Sequence, residues 1–201
     1  MNRVFVDTET SGLAPGQIGQ LAIITETDAG EVRGDNYFFK IDYIDEGAMK
    51  VTGRDLAFYE KASNGKVFKD FADEIFEKLS HGVLIAHNIK FDENFISTEF
   101  WRIDKVFRPE KRFDTMEFFT DICQLPPKRA GEKFKRPKLS ELVDFYNIDS
   151  NKIAKYCSQI FNCSDSDFHG ATFDTTAMFI AFHIYNEKLK GSNTWEEAFR
   201  K

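Results

Sequence analysis

Cysteine is scarce: only Cys123, Cys157 and Cys163 occur in 201 residues. Their number is odd and no C-x-x-C spacing occurs. This speaks against a disulfide framework or a cysteine zinc site, and a reducing cytoplasm is the expected compartment. Long apolar runs are missing too. No stretch approaches the roughly 18 uninterrupted apolar residues of a membrane span, so no membrane role is expected. From Met1 the chain enters a strand-like run at once, without the apolar segment or cleavage site of a secretory signal. There is no excess of basic charge: 27 Lys and Arg against 33 Asp and Glu leave a net charge of −6. That excludes a histone-like coat of bulk positive charge. It does not exclude an enzyme that meets nucleic acid through a local basic patch. No internal repeat or domain break is visible, so one domain over residues 1–201 is expected.

What is present suits a folded globular chain. Hydrophobic residues make up 42% and charged residues 30%, which excludes wholesale disorder. Phe is abundant at 22 residues. Core packing is the main expectation for them, with a few exposed rings available to stack on bases.

Arg3 to Val6 reads as a short strand that ends in the polar cluster Asp7 to Gly12. Leu21 to Thr25 is a second strand, Asp28 to Glu31 a turn, and Tyr37 to Phe39 part of a third strand. Short connections make these an antiparallel meander. Val67, Phe68, Phe71, Ile75, Phe76 and Leu79 recur at spacings of three and four, which predicts one amphipathic helix of about four turns. Strand Val83 to Ala86 follows, then a helix opening near Asp92. A brief strand at Arg112 and Phe113 precedes helices over 116–123, 139–146 and 172–189. Strands first and βα alternation later predict an α/β domain with a mixed sheet covered by helices.

Two segments read as irregular. Residues 124–138 hold three prolines and six basic residues, Lys128, Arg129, Lys133, Lys135, Arg136 and Lys138, against one acid. They predict an extended, mobile loop. Residues 157–168 read as a Ser- and Asp-rich insert. Beyond Leu189, Trp195, Ala198 and Phe199 suggest a small docking segment.

The chemistry lies in three acidic clusters. Asp7 and Glu9, two residues apart on a strand, point to one face and can close on a divalent cation. Asp92 follows a buried strand where a helix begins, and taken alone it reads as a helix cap. His169 precedes the last long helix, and Asp174 lies in its first turns. Four carboxylates gathered at element ends would repel one another unless cations neutralise them, and hard oxygen ligands select Mg²⁺ or Mn²⁺. A neutral His beside them suits proton removal from a water attacking a phosphodiester.

The order D-x-E (Asp7-Thr8-Glu9), N-x-x-x-F-D (Asn88 through Phe91-Asp92) and H-x-x-x-x-D (His169 through Asp174) resembles the DnaQ-like (DEDDh) 3′→5′ exonucleases of the ribonuclease-H-like fold. The surroundings agree: Thr10-Ser11-Gly12-Leu13, Val51-Thr52-Gly53 and Lys138-Leu139-Ser140-Glu141-Leu142. The resemblance runs from about Arg3 to Leu189. It implies a three-layer fold around a mixed five-stranded sheet. It also implies two cations held by Asp7, Glu9, Asp92 and Asp174, with His169 as general base. Thr8, Thr10, Leu13 and Phe91 would meet the terminal nucleotide, and Asn88 would position Asp92 or the substrate. The implied activity releases nucleoside 5′-monophosphates from 3′ ends, single-stranded DNA first. RNA trimming is the alternative, and a DNA polymerase is a candidate partner. A non-catalytic polymerase-associated binding subunit is the reading from another class, and the intact acid set speaks against it. One departure is Gln20, where many members of the family carry Glu.

Overall fold

The computed structural model describes residues 1–14, 16–163 and 170–190. His169, most of the insert and the segment around Trp195 lie outside them.

Five strands form one sheet in the order β3-β2-β1-β4-β5. These are β1 (Arg3–Thr10), β2 (Ile18–Glu26), β3 (Val32–Phe38), β4 (Val83–Ala86) and β5 (Lys111–Asp114). The first three pair antiparallel as the meander, and β4 and β5 add in parallel beside β1. β1 is therefore central and buried on both faces, which is why it opens on the unbroken apolar run Val4-Phe5-Val6. It extends past Val6 to Thr10, so Asp7 and Glu9 are strand residues rather than part of a following loop.

The alternation of side chains along β1 sorts the molecule into layers. Val4 and Val6 join a core with Phe68, Ile75, Phe95 and Phe100 on one face. Phe5 joins a second core with Phe119, Leu142, Ile153 and Phe179 on the other. Helices α3 (Ala72–Ser80) and α4 (Ile89–Trp101) cover the first face. Helices α5 (Thr115–Cys123), α6 (Leu139–Phe145), α7 (Ser150–Phe161) and α8 (Ala171–Lys190) cover the second. This is the three-layer α/β architecture. Many of the phenylalanines pack in it edge to face, as Phe5 does on Phe179 at 5.2 Å between ring centres.

Several local expectations need correction. The four-turn helix over 67–79 begins as a 3₁₀ turn, Phe68–Phe71, and only then continues as α3. Two helices precede it: α1 (Glu46–Thr52) and α2 (Leu56–Ser63). Asp45 caps α1 by accepting from the Ala48 N–H, and Asp55 caps α2 by accepting from that of Phe58. The insert starts later than residue 157, because α7 continues to Phe161. Asp92 is not a cap: α4 begins at Ile89 behind Asn88, and Asp92 lies inside its first turn. The basic loop is tied down rather than extended. Lys135 N–H donates to Leu125 O at 3.0 Å, and the half-buried His87 ring spans Thr115 Oγ1 at 3.0 Å and Pro137 O at 2.9 Å.

Candidate active site

The acids arrive from three elements. Asp7 and Glu9 share the face of β1 that Phe5 occupies, toward α8, whose first turn carries Asp174. Thr8 points to the opposite face, where α4 packs, and its hydroxyl donates to Asp92 Oδ1 at 2.8 Å. Thr8 therefore holds Asp92 at the strand, while Asp7 and Glu9 meet Asp174 on the other side. Asp114 completes the setting. Its carboxylate accepts from the backbone N–H groups of Asn88 (3.2 Å) and Ile89 (3.1 Å) while also capping α5 at Met116 N (2.9 Å). This pins the turn from β4 into α4. Asn88 holds φ at 74° in that turn, is exposed and makes no side-chain cap. Asp92 is thus held by Thr8, and Asn88 contributes the bend of the backbone.

Burial and like charge dominate the electrostatics of this cluster. Burial, followed by the charges of Asp92, Asp174 and Glu9, holds the Asp7 carboxyl well above the ordinary carboxylate range. Glu9 is pushed up to about 7 by burial and the Asp174 charge, with the Arg54 guanidinium working against them. Burial raises Asp92 to about 7 even though it accepts the Thr8 hydrogen bond. Behind Glu9 the Tyr59 ring fills the space over Gly19, and its buried hydroxyl makes no well-formed hydrogen bond among the described residues. Burial and then the Glu9 charge hold that phenol above its ordinary value.

Such a set suits hard divalent cations in kind. Its donors are all carboxylate oxygens, they carry one sign of charge, and the charges of Asp92, Asp174 and Glu9 all act on Asp7. Among the described residues no three carboxylate, imidazole or thiol groups already stand closed around a cation position. Like charges of this sort draw together only around a counter-ion.

A cavity of about 560 Å³ opens beside Glu9. Thr8, Glu9, Thr10, Leu13 and Phe91 line it, and α1 supplies Ala48, Val51 and Thr52. α1 buries none of its residues in the core. Leu13 and Val51, both lining residues, are 87% and 85% exposed and present apolar surface to solvent. Asn88 is not among the lining residues. Asp45, Val51, Thr52, Arg54, Tyr59 and Asp114 belong to the site or its support, and sequence reasoning assigned none of them. Asp45 and Asp114 carry a legible cap signal, an Asp directly before a helix, and Val51 and Thr52 lie in a segment that shares the family resemblance; Arg54 and Tyr59 carry no such signal.

One family model covers most of the chain. The family model RNase_T, described as "Exonuclease", matches residues 4–152. The "3'-5' exonuclease DinG" of Staphylococcus haemolyticus (strain JCSC1435) is 37% identical over 81 residues, 40% of this chain and 8% of that protein. Its counterpart in Staphylococcus aureus (strain MRSA252) is 36% identical over the same length and shares. The match thus spans a small part of those relatives. E. coli Exonuclease I, solved with a 5cy-dT13 oligonucleotide, matches with a TM-score of 0.68 at 18% identity, over 94% of this chain and 41% of that one. Exonuclease X, solved in complex with 5′ overhanging duplex DNA, matches with a TM-score of 0.61 at 17% identity, over 95% and 94%. At these identities the solved structures speak to the fold.

Proposed function

The chain belongs to the exonuclease family of that model, and from this premise we propose that it removes nucleotides one at a time from the 3′ ends of DNA, with divalent cations at its four carboxylates. The observation that carries the reading is the convergence of Asp7, Glu9, Asp92 and Asp174, from three elements, beside a cavity of nucleotide size. The 3′→5′ direction draws support from the 3'-5' exonuclease DinG relatives, and DNA from the oligonucleotide and duplex held by the matched structures.

Asp7, Glu9, Asp92 and Asp174 would hold Mg²⁺ or Mn²⁺, which when bound supplies positive charge to the scissile phosphate and lowers the pKa of water. The protein's own part is orientation. Thr8 fixes Asp92, and Asp114 fixes the turn before it. Leu13 and Phe91 offer apolar surface to the terminal base and sugar, and Thr10 lines the same cavity. His169 takes the proton of the attacking water. The water oxygen joins phosphorus and the P–O3′ bond breaks. The departing O3′ takes a proton from solvent, which leaves a nucleoside 5′-monophosphate and a new 3′-hydroxyl.

One gel tests the substrate. Labelled single-stranded DNA, mismatched duplex and RNA are each incubated with Mg²⁺, Mn²⁺ or chelator. DNA shortening with metal and none with chelator is expected. Faster loss of RNA than of DNA would overturn the DNA reading in favour of 3′-end trimming of RNA. Proofreading of the DNA polymerase III epsilon kind further requires mismatched ends to be removed faster than paired ones.

A further inference from the structure

Arg54 stands in the turn between α1 and α2, beside the acids. Its guanidinium carbon lies 4.8 Å from the centre of the Phe58 ring and 5.6 Å from that of Phe38, so two aromatic faces fix its plane. From there Nη1 donates to Gln20 Oε1 at 2.5 Å. The same oxygen accepts from the backbone N–H of Ala171, the first residue of α8, at 3.3 Å. Gln20 Nε2 donates to Asn36 Oδ1 at 2.8 Å, so both ends of the amide are committed. Gln20 is also the residue directly opposite Glu9 in the β1–β2 ladder. Packing at this junction is close. A Cβ on Gly170 would come within 2.6 Å of Arg54 Nη2 and 2.7 Å of Gln20 Oε1.

The chemistry of this contact is unusual for a helix start. The N-terminus of α8 already carries the positive end of the helix dipole, so a cation beside it opposes the helix. The placement becomes favourable through the Glu9 carboxylate, whose charge Arg54 offsets. Gln20 suits its role because it is neutral. It gives the orphan N–H of Ala171 an acceptor without setting another carboxylate opposite Glu9. Lysine could supply the charge of Arg54, but not the planar fork that stacks on Phe58 while it donates to Gln20.

We propose that Arg54 and Gln20 form a positioning pair that holds Glu9 on β1 and the first turn of α8, with Asp174, in one fixed register. The inference rests on the nuclease reading and adds to it two residues that need not touch substrate.

The test uses Arg54→Met, Gln20→Met and the double variant, with kcat and KM on single-stranded DNA measured separately in Mn²⁺. Hydrogen exchange at residues 171–178 and the Mn²⁺-induced melting shift are read as well. Each single change should lower kcat by about 10–100-fold, the usual cost of losing a group that orients a metal ligand. KM should stay nearly constant, and the double variant should be little worse than either single one. Exchange at the start of α8 should quicken in both variants without metal, and the Mn²⁺ shift should shrink. Arg54→Lys should recover part of kcat and, should the methionine variants fold poorly, carries the test alone. A wild-type kcat in Arg54→Met, losses confined to KM, or fully additive losses would overturn the pair. If the wild-type protein cuts no nucleic acid, the nuclease reading fails. Exchange and melting then still decide the pair, and unchanged exchange at 171–178 overturns it.

Discussion

Asp7 sits where the like charges meet, and its behaviour separates a cation site from incidental acids. In the metal-free protein Asp7, Glu9 and Asp92 hold their protons to higher pH than they do in the unfolded chain. The folded state therefore binds the extra protons, and stability falls as pH rises from the ordinary carboxylate values through about 7. Asp7→Asn removes one like charge. The metal-free variant should melt at or above the wild-type temperature near neutral pH, and the pH-dependent loss should be smaller. Mn²⁺ at a hundredfold excess over Kd should stabilise the wild type by about 2.7 kcal/mol, and this shift should collapse in the variant together with activity. A variant that melts lower without metal and keeps the shift would return Asp7 to an ordinary hydrogen-bonding role. For His169→Ala the expectation is a rate lower by roughly 10²–10⁴-fold with the Mn²⁺ melting shift retained. A near-normal rate would remove His169 from the reaction. The acids were legible because their spacing puts them at strand and helix ends. The supporting Thr8 bond was not, since alternation along β1 shows only that Thr8 faces away from Asp7, while its meeting with α4 is a tertiary fact.

At the scale of elements, legibility follows burial. β1, β2 and β4 announce themselves by unbroken apolar runs, and α8 by its length and spacing. α1 buries nothing, so it leaves no periodic trace, although the Asp45 cap and Gly53 at its end bracket it. α7 did leave a trace: Ile153, Tyr156, Cys157 and Ile160 recur at helical spacing behind the Asp149 cap. The Ser- and Asp-rich composition just beyond obscured it. The far end of β1–β2 is tied to α8 by a buried pair. Glu26 Oε2 receives Arg3 Nη1 at 2.8 Å and lies 3.2 Å from His183 Nε2. Burial alone would raise Glu26, but bonding and charge from His183 and Arg3 outweigh it and leave the carboxyl below its ordinary value of 4.5. Its contribution to stability is complete above that value and is lost as pH falls through the lower folded one. Glu26→Gln should therefore melt below wild type at pH 7, with the gap closing in acid. Melting curves at several pH values check this, and a constant gap would contradict it.

For the whole molecule, a net charge of −6 makes the distribution of cations matter more than their number. Three of the six basic residues in 124–138 are engaged with the protein's own acids: Lys133 with Asp121 at 3.5 Å, Arg136 with Glu117 at 3.2 Å, and Lys135 with Glu141. Lys128, Arg129 and Lys138 are exposed and form no ion pair among the described residues. Neutralising these three should raise KM and flatten the salt dependence of single-strand binding by about 0.7 in log–log slope per lost phosphate contact. Neutralising the paired three should change it less. An unchanged slope would take the loop out of the substrate track. The layered fold was legible as a class, because a meander followed by βα units admits few arrangements. The closure of the loop onto His87 was not, since it rests on Pro137 O meeting a ring fifty residues away.

The most direct measurement of the central claim is product analysis on two single-stranded DNAs, one blocked at its 5′ end and one carrying a 3′-phosphate, each with Mn²⁺ or chelator. Steady release of 5′-mononucleotides from the 5′-blocked strand is expected, with resistance of the 3′-phosphorylated one and silence with chelator. Internal fragments from both strands, or no release with Mn²⁺ or Mg²⁺, would contradict the claim.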